Sequence, residues 1–275
     1  MRILITNDDG YSSKGIQALV NVARAFGDIT VIAPKSVQSG MSMAVTMGYK
    51  PIAARKIKSL PGEEWWYLDG TPASCVKFGI DNVFYPEKPD LVLSGVNHGS
   101  NAATATVYSG TVGAAMEGAL NGVQSIAVSL DCFSSDADFS AIETLLPGIL
   151  KKLLGSFSSR YGTIYNINFP DLPASQIVGI RPTRMGMAHW EHEYLPYGPE
   201  FLYERGHVPS RADVEYVENK HPDDELVVMA GDFVDNGNNL PDADHLLMDQ
   251  GYIVITPLNL DHTDTAELKR LCDII

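Results

Sequence analysis

Cysteine is scarce in this chain of 275 residues: Cys75, Cys132 and Cys272 stand far apart, and none shares a CxxC spacing. A disulfide framework or a cysteine-built zinc site is not expected; reduced thiols in a cytoplasmic protein are. Positive charge is also short, with 20 Lys and Arg against 34 Asp and Glu, a formal net charge of -14. Duplex nucleic acid and anionic membranes both call for the opposite excess, so neither is expected as a partner. A small anionic substrate stays open, because a bound cation reverses the field locally. Long hydrophobic runs are missing too: the first apolar stretch, from Ile3, meets charge at Asp8, which fits neither a signal peptide nor a membrane span. No Asn-x-Ser/Thr acceptor, no GxGxxG after a strand and no Gly-x-Ser-x-Gly elbow occurs. The segment Gly10–Gly15 has the glycine spacing of a P-loop, but Ile16 and Gln17 follow where Lys and Ser or Thr are needed.

What is present reads as a globular α/β chain: 45% hydrophobic and 20% charged residues exclude wholesale disorder. Ile3 to Thr6 is a short strand that ends in Asn7-Asp8-Asp9-Gly10. Ile16, Leu19, Val20 and Ala23 then recur at helical spacing up to Gly27, and Ile29 to Ala33 is a second strand closed by Pro34. This βαβ unit predicts a parallel sheet. After an irregular stretch, Trp65 to Leu68 reads as a strand and Thr71-Pro72 as the N-cap and first turn of a helix. Leu91 to Leu93, Ser125 to Ser129 and Ile164 to Asn168 read as further strands, with helices over Ser109–Gly122 and through Ile142, Leu146 and Leu150. The expected fold is Rossmann-like and doubly wound, with a mostly parallel sheet.

The character changes at Arg181. From there to about Asp244 the chain is rich in Tyr, His, Asp, Gly and Pro and has little helical periodicity; Glu225 to Met229 alternates like one strand of a hairpin. Three segments are expected: a core over 1–180, an extended arm over 181–250, and a strand and helix over 251–275 that return to the core. The arm reads either as a surface excursion or as an oligomer contact, with Trp190 and the tyrosines as interface anchors.

In open α/β sheets ligands bind beyond the carboxyl ends of the strands. Three polar loops hold that position: Asn7 to Gly10, Ser36 to Gly40, and Ser94 to Asn101. Two adjacent carboxylates repel. Capping or turn formation would explain one of them, whereas a hard cation explains both. Asp8, Asp9, Ser39 and Asn97 form an oxygen set that suits Mg²⁺, Mn²⁺ or Ca²⁺. Tyr108-Ser109-Gly110-Thr111-Val112-Gly113 opens a helix with hydroxyls and glycines, which fits either simple capping or a phosphate held by free N–H groups. His98, His189, His192 and His207 are scattered, and only His98 lies within a candidate loop, as a phosphate contact or proton donor.

These residues, together with Asp69 to Pro72, Ala114 to Gly118, Asn168 to Pro170, Gly251-Tyr252 and Ile255 to Leu258, resemble the SurE family of stationary-phase survival proteins over nearly the whole chain. The resemblance implies a 5'-nucleotidase, an acid phosphatase-type phosphoric monoester hydrolase active on nucleoside 5'- and 3'-monophosphates and on short-chain polyphosphate. It implies one divalent cation per subunit, Mg²⁺ or Mn²⁺, on Asp8, Asp9, Ser39 and Asn97. Asn7, Asn101, Ser109, Gly110 and Thr111 would hold phosphate, and Asp8 and Asn101 would be catalytic. It also implies a homodimer or homotetramer assembled through the arm. One departure stands out: Asn101-Ala102-Ala103 fills a stretch where a further glycine is common. Two alternatives remain. An aspartyl-phosphate phosphatase normally needs a second Asp two residues after the first, where this chain has Gly10. A nucleotide- or metal-binding regulatory protein would show no turnover.

Overall fold

The computed structural model describes residues 1–48, 51–134, 136–198 and 211–275; His207 and part of the expected arm lie outside them. Strand β1 (Arg2–Thr6), helix α1 (Lys14–Ala23) and strand β2 (Asp28–Pro34) form the first crossover, with β1 and β2 parallel. Ser13 caps α1, its hydroxyl accepting from the Ile16 N–H, which satisfies one of the free donors at the helix start. Then come β3 (Ala54–Leu60), β4 (Glu63–Leu68), α2 (Pro72–Phe78), β5 (Leu91–His98), a single helical turn α3 (Ala105–Tyr108) and α4 (Gly110–Leu120). Strand β6 (Gln124–Leu130), helix α5 (Ser140–Leu154) and strand β7 (Thr163–Phe169) complete the doubly wound part. Thr71 caps α2 as expected, accepting from the Ser74 N–H.

Strands β4, β2, β1, β5, β6 and β7 are parallel neighbours in that order. Both faces are covered, so the central strands run mostly apolar rather than alternating. Ile3, Ile5, Ile29, Val31, Leu91 and Leu93 pack with Ile16, Leu19, Ile142 and Leu146 on the face of α1 and α5. Leu4, Ile32 and Val92 point the other way, against Val76 of α2 and Ala114 of α4. The small side chains of α4 allow close approach: a Cβ on Gly113 would lie 2.0 Å from the Ser42 carbonyl oxygen.

Some elements differ from the sequence expectation. The irregular stretch before Trp65 contains β3, antiparallel to β4 at the sheet edge and exposed along its whole length. Exposed on both faces and lysine-bearing, such an edge strand carries no hydrophobic alternation to betray it. The Leu91 strand also continues through Ser94 to His98, where a loop is expected. The pairing with β6 shifts register between Ser94 and Asn97 and resumes at Ser129 and Leu130, because backbone groups buried there need partners.

The sheet is completed by β13 (Tyr252–Asn259), antiparallel to β7, with β8 (Gly179–Pro182) parallel to β13. Two compact units divide the chain, Met1–Gly186 with Leu240–Ile275, and Met187–Asn239. Within the smaller unit, β9 (Ala188–Glu191) pairs antiparallel with β12 (Asp232–Asp235), and β10 (Tyr194–Pro196) with β11 (Val227–Met229). These are the hairpin strands expected from the alternation near Val227; helix α6 (Arg211–Glu218) also belongs to this unit. Helices α7 (Asp244–Asp249) and α8 (Thr265–Ile274) follow in the larger unit. Among the described residues, no helix is long and apolar enough to cross a membrane.

Candidate active site

The parallel order β2, β1, β5 brings three polar loops to one edge of the sheet, and hydrogen bonds tie them together. The Gln38 N–H donates to the Asp8 carbonyl oxygen at 2.7 Å, joining the loop after β2 to the loop after β1. His98, at the end of β5, donates its N–H to Asp9 Oδ2 at 3.3 Å, and its ring Nδ1 lies 3.1 Å from the same oxygen. The edge of the His98 ring packs against Phe139.

Asn7 shapes its own loop. Its side-chain nitrogen donates to the Gly10 carbonyl and to Ser13 Oγ, and its oxygen accepts from the Gly10 N–H. All of the Asn7 side chain is therefore engaged within this turn. Asn97 donates to the Gly99 carbonyl at 2.8 Å, which leaves the amide oxygen as its donor atom for a ligand. Ser39 is exposed, and Gln38, its neighbour in sequence, makes the bond that ties its loop to Asp8.

Asp8 is the most enclosed of the four proposed metal ligands, 3% exposed. Thr111 Oγ1 donates to its Oδ1 at 2.6 Å. Gly110 presses on the same carboxylate: a Cβ there would stand 3.0 Å from Asp8 Cβ and 3.1 Å from Oδ2. Burial pushes the Asp8 carboxyl up to about 6; the Thr111 hydroxyl pulls it down, and the Asp9 charge raises it again. The N-terminus of α4, with its positive end, thus abuts Asp8, and Thr111 also lends its backbone N–H.

The Ser109 hydroxyl caps α4 by accepting from the Val112 N–H at 3.1 Å. The side-chain oxygens of Ser109 and Thr111 therefore serve the helix and Asp8, and Gly110 supplies a backbone N–H at the first helical position. Asn101 is 5% exposed and firmly held. Its N–H donates to Asn168 Oδ1, its side-chain nitrogen to Ser129 Oγ, and its carbonyl accepts from Asn166 Nδ2 and Thr106 Oγ1, all at 2.8 Å. Ser129, Asn166 and Asn168 were no part of the expected site. Their signal in the sequence is three polar side chains near the carboxyl ends of otherwise apolar strands, all fully buried.

Among the described residues, no three His, Cys, Asp or Glu side chains converge on one point. The donor set is instead two carboxylates with an amide and a hydroxyl oxygen. A pair of adjacent carboxylates, one raised by burial and further by its neighbour's charge, fits a hard divalent cation with oxygen ligands.

The fold and the site define a Rossmann-like α/β protein with a paired-carboxylate loop facing a glycine-rich helix start. The family model of "Survival protein SurE" matches residues 3–192. A protein named 5'-nucleotidase SurE from Christiangramia forsetii is 34% identical over 274 residues, spanning 98% of this chain and 95% of its own. Its namesake from Desulfitobacterium hafniense is 36% identical over 277 residues, spanning 98% and 96%. The crystal structure of SurE protein from Aquifex aeolicus superposes with a TM-score of 0.77 at 31% identity, covering 100% of this chain and 99% of that one. The chain belongs to the SurE family.

Proposed function

We propose that the chain is a metal-dependent phosphomonoesterase that hydrolyses nucleoside 5'-monophosphates, with 3'-monophosphates and short-chain polyphosphate as further substrates. The observation that carries this reading is the junction of Asp8 with the start of α4, where Thr111 and Gly110 meet a buried carboxylate beside a second one. The name 5'-nucleotidase borne by relatives at about this length supports the substrate class.

In this reading Asp8, Asp9, Ser39 and Asn97 hold one Mg²⁺ or Mn²⁺. When bound, the cation supplies charge neutralisation to phosphoryl oxygens and acidity to water. Asn101, fixed from four sides, and the backbone at Gly110 and Thr111 orient the phosphate and meet the charge that grows as the ester bond breaks. Asp8 orients the attacking water and takes its proton. Asn7 contributes by holding the turn that carries both carboxylates. The enzyme works in the cytoplasm, where its three free thiols stay reduced, and assembles as a homodimer or homotetramer through the 181–250 arm.

The test is phosphate release from a panel of nucleoside 5'- and 3'-monophosphates, with chelator and across a metal titration. Asp8→Asn is expected to lower kcat by about 100-fold or more. Asp9→Asn is expected to weaken metal affinity and to recover in part at millimolar cation. If both variants turn over like the parent without added metal, the metal-hydrolase reading is wrong.

A further inference from the structure

In the Asn101-Ala102-Ala103 stretch, Ala103 has φ 48, a backbone that a glycine would adopt freely. An alanine stays in that region only if its surroundings hold it there. The holder comes from the far end of the chain. Asp244, the first residue of α7, is fully buried, and its Oδ1 accepts the Ala103 N–H at 3.0 Å across 141 residues of sequence. The same oxygen accepts from Gly186 N–H and from its neighbour His245 N–H, each at 2.9 Å. Its second oxygen accepts from Thr256 Oγ1 at 3.2 Å, which in turn meets Thr183 Oγ1 at 2.9 Å.

The rest of α7 lies on the same loop. Met248 packs with Ala102 and Val254, and Ser100 Oγ contacts Met248 Sδ at 3.7 Å. Ala103 is also a branch point: its carbonyl accepts the Thr106 N–H, and Thr106 Oγ1 returns to the Asn101 carbonyl. The turn at Ala103 therefore sets Asn101 on one side and the approach to Ser109 and α4 on the other.

We infer that Asp244 is a positioning residue for phosphate binding. Its carboxylate holds Ala103 in the left-handed turn, and so places Asn101 and the start of α4. This rests on the reading of Asn101 as a phosphate ligand. It also ties the site to Gly186 and Arg184, whose carbonyl accepts from the Asp244 N–H, on the segment that precedes the hairpin unit.

Asp244→Asn keeps the shape and one oxygen but turns charge-assisted hydrogen bonds into weaker neutral ones. The expected result is a kcat on a nucleoside 5'-monophosphate about tenfold lower, with the inhibition constant of inorganic phosphate raised by a similar factor. A purely structural carboxylate would show instead as a lower Tm with phosphate affinity intact. The decisive variant is Asp244→Asn combined with Ala103→Gly, since glycine holds the turn without help. It is expected to regain kcat and phosphate affinity to within about threefold of the parent, and it is measured whether or not the single variant folds. A double variant no better than Asp244→Asn, or an Asp244→Asn with parental kcat and phosphate inhibition, overturns the inference. Asn101→Ala serves as the control: unchanged phosphate inhibition there overturns the phosphate reading itself, and this inference with it.

Discussion

Thr111 donates its hydroxyl to Asp8 across 103 residues of chain, so the start of α4 and the loop after β1 act as one unit. Thr111→Val removes a donor that favours the charged carboxylate. With cation at saturation, kcat near pH 7 is then expected to be about threefold to tenfold lower, as the carboxylate loses the bond that positions it. A parental kcat would show that the Thr111 hydroxyl does not position Asp8 for the reaction.

Gly110 tests the same junction by volume. Any Cβ there meets Asp8 and Pro72 Cγ at 3.0–3.1 Å, tighter than a comfortable contact. Gly110→Val is expected to displace the Asp8 carboxylate and close the approach to the Gly110 N–H. KM for the nucleotide and the inhibition constant of inorganic phosphate should each rise about tenfold or more. Unchanged values in steady-state assays would move the phosphate site elsewhere.

Glu63 makes a prediction about stability alone. Burial by itself would raise its carboxyl, but hydrogen bonds from Lys58, Trp65 and Arg24 outweigh it and hold the group at about 2, against an ordinary 4.5. A carboxyl depressed on folding contributes stability above its unfolded value and loses it as pH falls through the folded one. The loss should run from about pH 4.5 down to about pH 2. The shift corresponds to about 3 kcal/mol at most, and the half-exposed Arg24 and Lys58 reduce that to about 1–2 kcal/mol through solvent screening. In urea titrations, Glu63→Gln should be less stable than the parent at pH 7 and the difference should shrink near pH 3. An equal gap at both values would remove this ion network from the account of stability.

The arm carries a prediction about assembly. Within the Met187–Asn239 unit, Trp190 and Phe233 lie with ring centroids 5.2 Å apart, and Tyr194, Val227 and Met229 are largely exposed in a single chain. Such side chains are expected to be covered by another subunit. Light scattering of the intact chain should give a dimer or larger species. Replacing 190–235 by a short linker should give a smaller species whose sheet still melts cooperatively. A monomer from the intact chain would sink this prediction.

Much of the fold was legible because its signals are local. Caps such as Thr71, the helical spacing from Ile16 to Ala23 and the apolar runs at Leu91 and Ser125 lie within a few residues, and these determined the alternation of strands and helices. The paired carboxylates, Asn97 and the glycine-rich helix start were legible as chemistry, since residue type alone limits what such a set can bind. Edge strand β3 was not legible, because a strand exposed on both faces bears no alternation, and neither was the continuation of β5 to His98. Tertiary structure alone decided what each polar group does. Thr111, read as a phosphate ligand, gives its hydroxyl to Asp8; Ser129, Asn166 and Asn168 surround Asn101; Asp244 reaches Ala103. Each of these contacts joins segments dozens of residues apart, and which loops meet depends on the order β2, β1, β5, β6, β7 in the sheet. That order is settled by burying both faces of every central strand at once, a condition on the whole chain that no short window of sequence contains.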